Sequence, residues 1–228
     1  MARLIFIIFI FLFNCSLFSQ EGNYSVPEYE KMRLQIFDNT SLYFYPKLFE
    51  RYIEGDTSLS VLDFRFLYYG YTFQTSYIPY QTSRYQDKMI AFIKKGTLTS
   101  KELNEFIKIS ELNLKDLPFD IRTLNILAYS YKQKGDMNSF RAAEFKKSGI
   151  IKAIQSTGNG TTEKAAFNII DPVHEYDLLK EYGLEYAGSN DMTTDLCEYI
   201  FVQPNDRNIR GFYFNLSRIL NAKTERNR

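Results

Sequence analysis

The sequence predicts an α+β fold, and three observations carry that expectation. Capping signals and apolar residues at helical spacing recur up to about residue 155. A turn cluster, Thr157-Gly158-Asn159-Gly160, then interrupts the pattern, and alternating apolar segments follow it. Helices first and strands later imply a helical part with a small antiparallel sheet packed on it. The helical half is expected over about 25–155 and the strand-rich half over about 161–217. The strand half is too small to bury much core alone, so both are expected in a single domain, residues 20–222. Residues 223–228 read as a polar tail that frays.

The first helix is expected from the capping box Ser25 to Glu28, with Pro27 in its first turn and Tyr29, Met32 and Ile36 on one face. Residues 43–53 read as an amphipathic helix. A second box, Ser60 to Asp63, opens a stripe of Leu62, Phe66 and Tyr69. Residues 85–95 form another amphipathic helix, stopped by Gly96. A third box, Thr99 to Glu102, precedes Leu103, Phe106 and Ile107. From Pro118 to Ile154 the pattern is a helix pair. Leu124, Leu127, Ala128 and Tyr131 make the first stripe, Gly135 ends it, and Phe140, Ala143, Ile150, Ile151 and Ile154 make the second. Pro118, Ala128, Tyr131, Gly135 and Ala142 give this pair the look of one tetratricopeptide-like hairpin, with no second copy at the right period. In the strand half, Ala165 to Ile170 alternates and 172–182 reads as a short helix before Gly183. Residues 196–203 and 209–216 then read as an antiparallel hairpin around Pro204 to Asn208.

Residues 1–19 read as a secretory signal peptide. Arg3 precedes an apolar run from Leu4 to Phe13, and Asn14, Ser16 and Ser19 follow. A bilayer core needs roughly 20 such residues in a helix, so the run is too short to span and no transmembrane segment is expected in the mature chain. Cleavage after Ser19 leaves Gln20 at the N-terminus and an exported, periplasmic or extracellular protein. The alternative is lipidation at Cys15, which would anchor the chain to a membrane surface. The bulky Phe13 and Asn14 before Cys15 disfavour it.

Composition excludes several classes. The chain has 28 Lys plus Arg against 27 Asp plus Glu, with the signs interspersed, so no nucleic-acid partner is expected. After cleavage Cys197 stands alone among Leu196, Tyr199 and Ile200, which suits a buried small hydrophobe and allows no intramolecular disulfide. No H-E-x-x-H, C-x-x-C, G-x-S-x-G or G-x-G-x-x-G occurs, and a histidine-based triad would have to rest on His174 alone. No cofactor, metal or catalytic residue is expected. Asp171, His174, Glu175 and Asp177 are the one acid–base cluster, and they read as solvated surface. The glycines at 158 and 160 follow a helix and lack the phosphate-loop lysine, so they read as a turn.

Nine of the 18 tyrosines fall between Tyr43 and Tyr85. Tyrosine offers a rigid apolar face with a hydroxyl, suited to glycan or peptide contact, and Tyr68, Tyr71, Tyr77 and Tyr80 are the candidate contact residues. Several of these tyrosines lie on core-facing stripes, which favours a packing role.

One stretch resembles a known family. It comprises Tyr45-Pro46-Lys47-Leu48, Glu50-Arg51-Tyr52, Gly55-Asp56-Thr57 and Phe64-Arg65 with Leu67-Tyr68-Tyr69-Gly70-Tyr71, then Phe73-Gln74, Tyr77, Pro79 and Tyr80. With Ile151 to Gly160, Glu175-Tyr176, Leu179 and Cys197 to Ile200, it is similar to the exported Bacteroidetes family DUF4919, a domain of unknown function. The acidic residue usual between that family's two glycines is Asn159 here, which argues against a charge requirement at the turn. The resemblance implies an exported bacterial protein with helical and strand parts, and carries no activity or site residue. The expected function is a non-catalytic interaction or structural module of the envelope, with another envelope protein as partner. The alternatives are a glycan- or peptide-binding protein using the tyrosine cluster, or an enzyme without a familiar motif.

Overall fold

A computed structural model describes residues 24–194 and 196–226. The signal peptide, the cleavage point before Gln20 and the lipidation candidate Cys15 lie outside the described residues. Seven helices come first: α1 (Tyr29–Phe37), α2 (Tyr45–Glu54), α3 (Val61–Tyr71), α4 (Gln86–Lys95), α5 (Ser100–Asp116), α6 (Ile121–Lys134) and α7 (Met137–Gln155). Then come β1 (Phe167–Asn168), α8 (Val173–Glu181), β2 (Tyr186–Thr194), β3 (Cys197–Val202), β4 (Gly211–Asn215) and α9 (Ser217–Arg226). The chain is α+β.

Local chemistry sets these boundaries. Ser60 accepts the Asp63 N–H while Asp63 returns the bond to the Ser60 N–H, and Thr99 with Glu102 does the same, so two capping boxes form. The third does not. α1 begins after Glu28 with no side-chain cap, because Ser25 donates its N–H to Ser156 O and gives its carbonyl to Arg65 instead. Gly55 and Gly135 close α2 and α6 in left-handed conformation, at φ 78° and 79°. The α6 and α7 pair meets at Gly135 and Asp136, whose carboxylate accepts the Ser139 N–H to start α7.

The sheet has the order β1-β4-β3-β2. The expected hairpin is β3 with β4, antiparallel with Tyr199 opposite Tyr213. The sheet is nonetheless mixed: β1 is only two residues long and joins β4 in parallel. Of the expected strand at 165–170 only Phe167 and Asn168 pair: Ala165 ends a short 3-10 helix, and Ile169 and Ile170 enter the core beyond the last pairing at Asn215. Two elements come as additions. β2 pairs antiparallel with β3, and α9 extends into the segment read as a tail. One cluster of buried side chains holds Ile36, Tyr52, Tyr69, Ile150 and Ile154 from the helices together with Phe167, Ile200 and Phe214 from the sheet. The α7 stripe thus covers the sheet's inner face, which could not be dry by itself.

Candidate functional site

A cleft of about 300 Å³ lies where α4, the turn before α6 and the segment leading into α8 meet. That volume is at the lower end of the range typical for ligand pockets, roughly 300–1,000 Å³. Its floor is aromatic and fixed. The Tyr71 ring meets Tyr77 and Phe119 edge to face, with centroids 5.5 and 5.3 Å apart. Tyr77 donates its hydroxyl to Ile170 O at 2.8 Å, and Tyr71 donates to Ser76 O at 3.3 Å. The mouth is apolar too. Ile78, Ile90, Ile93 and Val173 line it while remaining 38–53% exposed. Four aliphatic side chains around one opening form the kind of surface patch that marks an interaction site.

α8 supplies the polar end of the cleft and corrects the solvated-surface expectation. His174, Glu175 and Asp177 are buried, at 3%, 2% and 7% exposure, while Val173, Tyr176 and Lys180 form the solvent face. The physical reason is position: this short helix is covered on one flank by the helical half and on the other by the sheet. His174 is fully committed. Phe119 O can only accept, so Nε2 carries the hydrogen and donates at 3.1 Å. The Tyr68 hydroxyl, which accepts the Ile170 N–H, donates to Nδ1 at 2.6 Å. Asp177 pairs with Arg122 at 3.4 Å and leaves Oδ2 buried without a partner. Burial raises the Asp177 carboxyl above its ordinary range although the Arg122 guanidinium opposes the shift.

Glu175 turns the other way, toward the sheet. Burial, then the Glu198 carboxylate and Asp171, push its carboxyl up to about 9. Asn190 of β2 donates to Glu198, and Glu175 Oε1 is buried with no partner. Two carboxyl groups out of water so close together cannot both ionise cheaply, so Glu175 holds a proton at neutral pH.

The four sequence-predicted tyrosines do not form one wall. Tyr68 is fully buried on His174, and Tyr71 and Tyr77 are buried but reach the cleft floor. Tyr80 is half exposed, in left-handed backbone at φ 62°. The sequence reading missed Gln81 and the α4 wall of Met89, Ile90 and Ile93. The available signal was α4 itself, whose apolar residues exceed what one neighbour buries: Met89 is buried and Phe92 packs on Phe106, while Ile90 and Ile93 stay exposed. Cys197 is buried and free, and burial raises its thiol. Among the described residues no group of His, Cys, Asp or Glu could hold a metal, and no helix is long and apolar enough to cross a membrane.

Fold and site define an α+β protein with a preformed, apolar-walled cleft between its helices. The chain belongs to the family described as Domain of unknown function (DUF4919), which matches residues 30–225. Neither curated proteins nor solved structures yield a match.

Proposed function

We propose that this chain is an exported, non-catalytic binding module of the bacterial envelope, and that it seats an apolar part of its partner in the cleft between α4 and α8. The observation that carries the reading is the ring of Ile78, Ile90, Ile93 and Val173 around an aromatic floor. Those side chains stay wet unless something covers them, and covering apolar surface is favourable by roughly 25 cal/mol per Å². The non-catalytic part is supported by His174, whose two ring nitrogens are both used inside the fold. Export is supported by Arg3 and the Leu4 to Phe13 run. The tyrosine-based alternative contributes Tyr71 and Tyr77 to this same cleft and leaves Tyr68 in the core.

The test is an environment-sensitive apolar dye titrated into the folded protein. Saturable binding that Ile93→Glu abolishes without moving the melting temperature is the expected result. Binding unaffected by charges at Ile90 and Ile93 would remove the cleft from the reading. N-terminal mass spectrometry of native material should begin at Gln20, and an intact Met1 would end the export part.

A further inference from the structure

We propose that the outer face of the sheet is a second binding site, and that it takes a neutral oligosaccharide. The site lies on other elements than the cleft and stands independently of it.

Register decides which side chains share that face. In β3, Glu198, Ile200 and Val202 are buried on the helix side, so Tyr199 and Phe201 stand on the other. In β4, Phe212 and Phe214 are buried, which leaves Gly211 and Tyr213 outside. Tyr199 pairs with Tyr213 on one side and with Asp191 of β2 on the other. The row Asp191, Tyr199, Tyr213 therefore crosses three neighbouring strands, with direct partners about 5 Å apart at Cβ. Its rings touch: the Tyr199 centroid is 4.6 Å from Tyr213 and 4.8 Å from Phe201. Gly211 makes room for this, since a Cβ there would come 2.8 Å from the Tyr199 ring. Tyr199 thus leans toward β4 and is held between two rings, at 82° to Phe201 and 59° to Tyr213. The face ends where Cys197 is buried and Asn215 Oδ1 is taken by Ser217.

The chemistry of this face is mixed. The three rings are half-buried, and Asp191 and Arg210 beside them are exposed. Among the described residues the Tyr199 and Tyr213 hydroxyls have no hydrogen-bond partner, and Asp191 and Arg210 join no ion pair. Arg210 directly precedes Gly211, and its charge is felt at the Tyr199 hydroxyl. An apolar helix laid here would take two hydroxyls, a carboxylate and a guanidinium out of water unpaired. A ligand of either charge would meet one like charge. A sugar brings C–H groups to the ring faces and hydroxyls that both donate and accept, so it answers every group in the row. The row spans three strands, roughly 10 Å, which suits a chain of sugars better than one. A proline-rich peptide also lies on aromatic rings, but its backbone lacks the N–H donors that Asp191 would need.

The experiment titrates the full chain with hexasaccharides of glucose, xylose and mannose, with a galacturonate hexamer and with a decaproline peptide. Binding is followed by calorimetry and by ring chemical shifts of tyrosine and phenylalanine. At least one neutral hexasaccharide should move Tyr199, Phe201 and Tyr213 saturably, and excess sugar should leave the apolar dye in the cleft. Asp191→Ala removes an exposed carboxylate and should weaken that sugar about tenfold, the loss of one charge-assisted bond, at an unchanged melting temperature. Tyr213→Leu should weaken it similarly by losing one ring contact. Where that variant unfolds, Tyr213→Phe, which removes only the hydroxyl, should still cost about threefold. Absence of shifts on this face with every neutral hexasaccharide at millimolar concentration overturns the proposal. So do tighter binding of the galacturonate hexamer, sugar that displaces the dye, or an affinity indifferent to Asp191→Ala and to the Tyr213 variants. Shifts on this face with decaproline and with no sugar overturn it in favour of a peptide.

Discussion

Tyr68 is the residue on which the helical half and α8 close. Its hydroxyl accepts the Ile170 N–H at 3.2 Å and donates to His174 Nδ1 at 2.6 Å, with Tyr68 at zero exposure and both partners buried. Tyr68→Phe keeps the ring and strands both partners, so it should cost about 1–3 kcal/mol in denaturant unfolding. A change within about 0.5 kcal/mol would mean that water replaces the hydroxyl. Glu175 sets a pH dependence of definite sign. Its folded carboxyl titrates near 9 and an unfolded one near 4.5, so its contribution is full below 4.5 and is lost as pH rises toward 9. Stability should therefore fall across that window by up to about 1.4 kcal/mol per pH unit. Glu175→Gln, neutral at every pH, should flatten the slope and raise the melting temperature at pH 8. A parallel fall in wild type and variant would assign the slope to other groups.

At the scale of elements, α3 packs closely against α7. Gly149 stands where a Cβ would come 2.2 Å from the Phe64 ring, and that ring is 1% exposed among Tyr52 and Phe145 with no room to withdraw. Gly149→Ala gains helix propensity worth about 1 kcal/mol but overpacks this contact. A net loss of roughly 1–3 kcal/mol is expected, read as a lower denaturant midpoint, and a stabilised variant would show that α7 slides freely on α3. Gly70 makes a milder version of the same contact inside α3, with Ile36 and Tyr45 at 3.2 Å from its missing Cβ. Stripes and caps made α2, α3, α5, α6 and α7 legible in the sequence. β2 was not: Tyr186–Thr194 holds Gly, Ser, Asn and Asp and is mostly exposed, so no alternation betrays it, and its pairing with β3 makes it a strand. α9 carried a readable sign that went unused. Asn215 Oδ1 takes the Ser217 N–H and hydroxyl ahead of Leu216, Ile219 and Leu220 at helical spacing.

For the whole molecule, the prediction concerns cooperativity. The turn at Gly158 and Gly160 is a tight joint: Gly160 N–H donates to Ala165 O at 2.7 Å and its carbonyl accepts the Tyr213 N–H at 2.8 Å. With Ile150 and Ile154 packed in the same cluster as Phe167 and Phe214, neither half keeps its core without the other. Unfolding should follow one transition, coincident by circular dichroism and tyrosine fluorescence. A fragment of residues 161–228 showing dispersed amide resonances and its own melting transition would make the chain two domains.

The sequence by itself determined the fold class, most helices, the β3–β4 hairpin and the family. Those follow from local period, capping chemistry and turn residues, which act within a few positions along the chain. Only the tertiary structure decided the fate of His174, Glu175 and Asp177, whereas Asp171 stays partly exposed and caps the Val173 N–H locally. Polar residues in a row look solvated until the partners are known, and theirs come from α3, the turn at Phe119, α6 and β3. The cleft is tertiary for the same reason. Tyr71, Ile93, Phe119 and Val173 are far apart in the chain, and only packing brings an aromatic floor and an apolar wall to one opening.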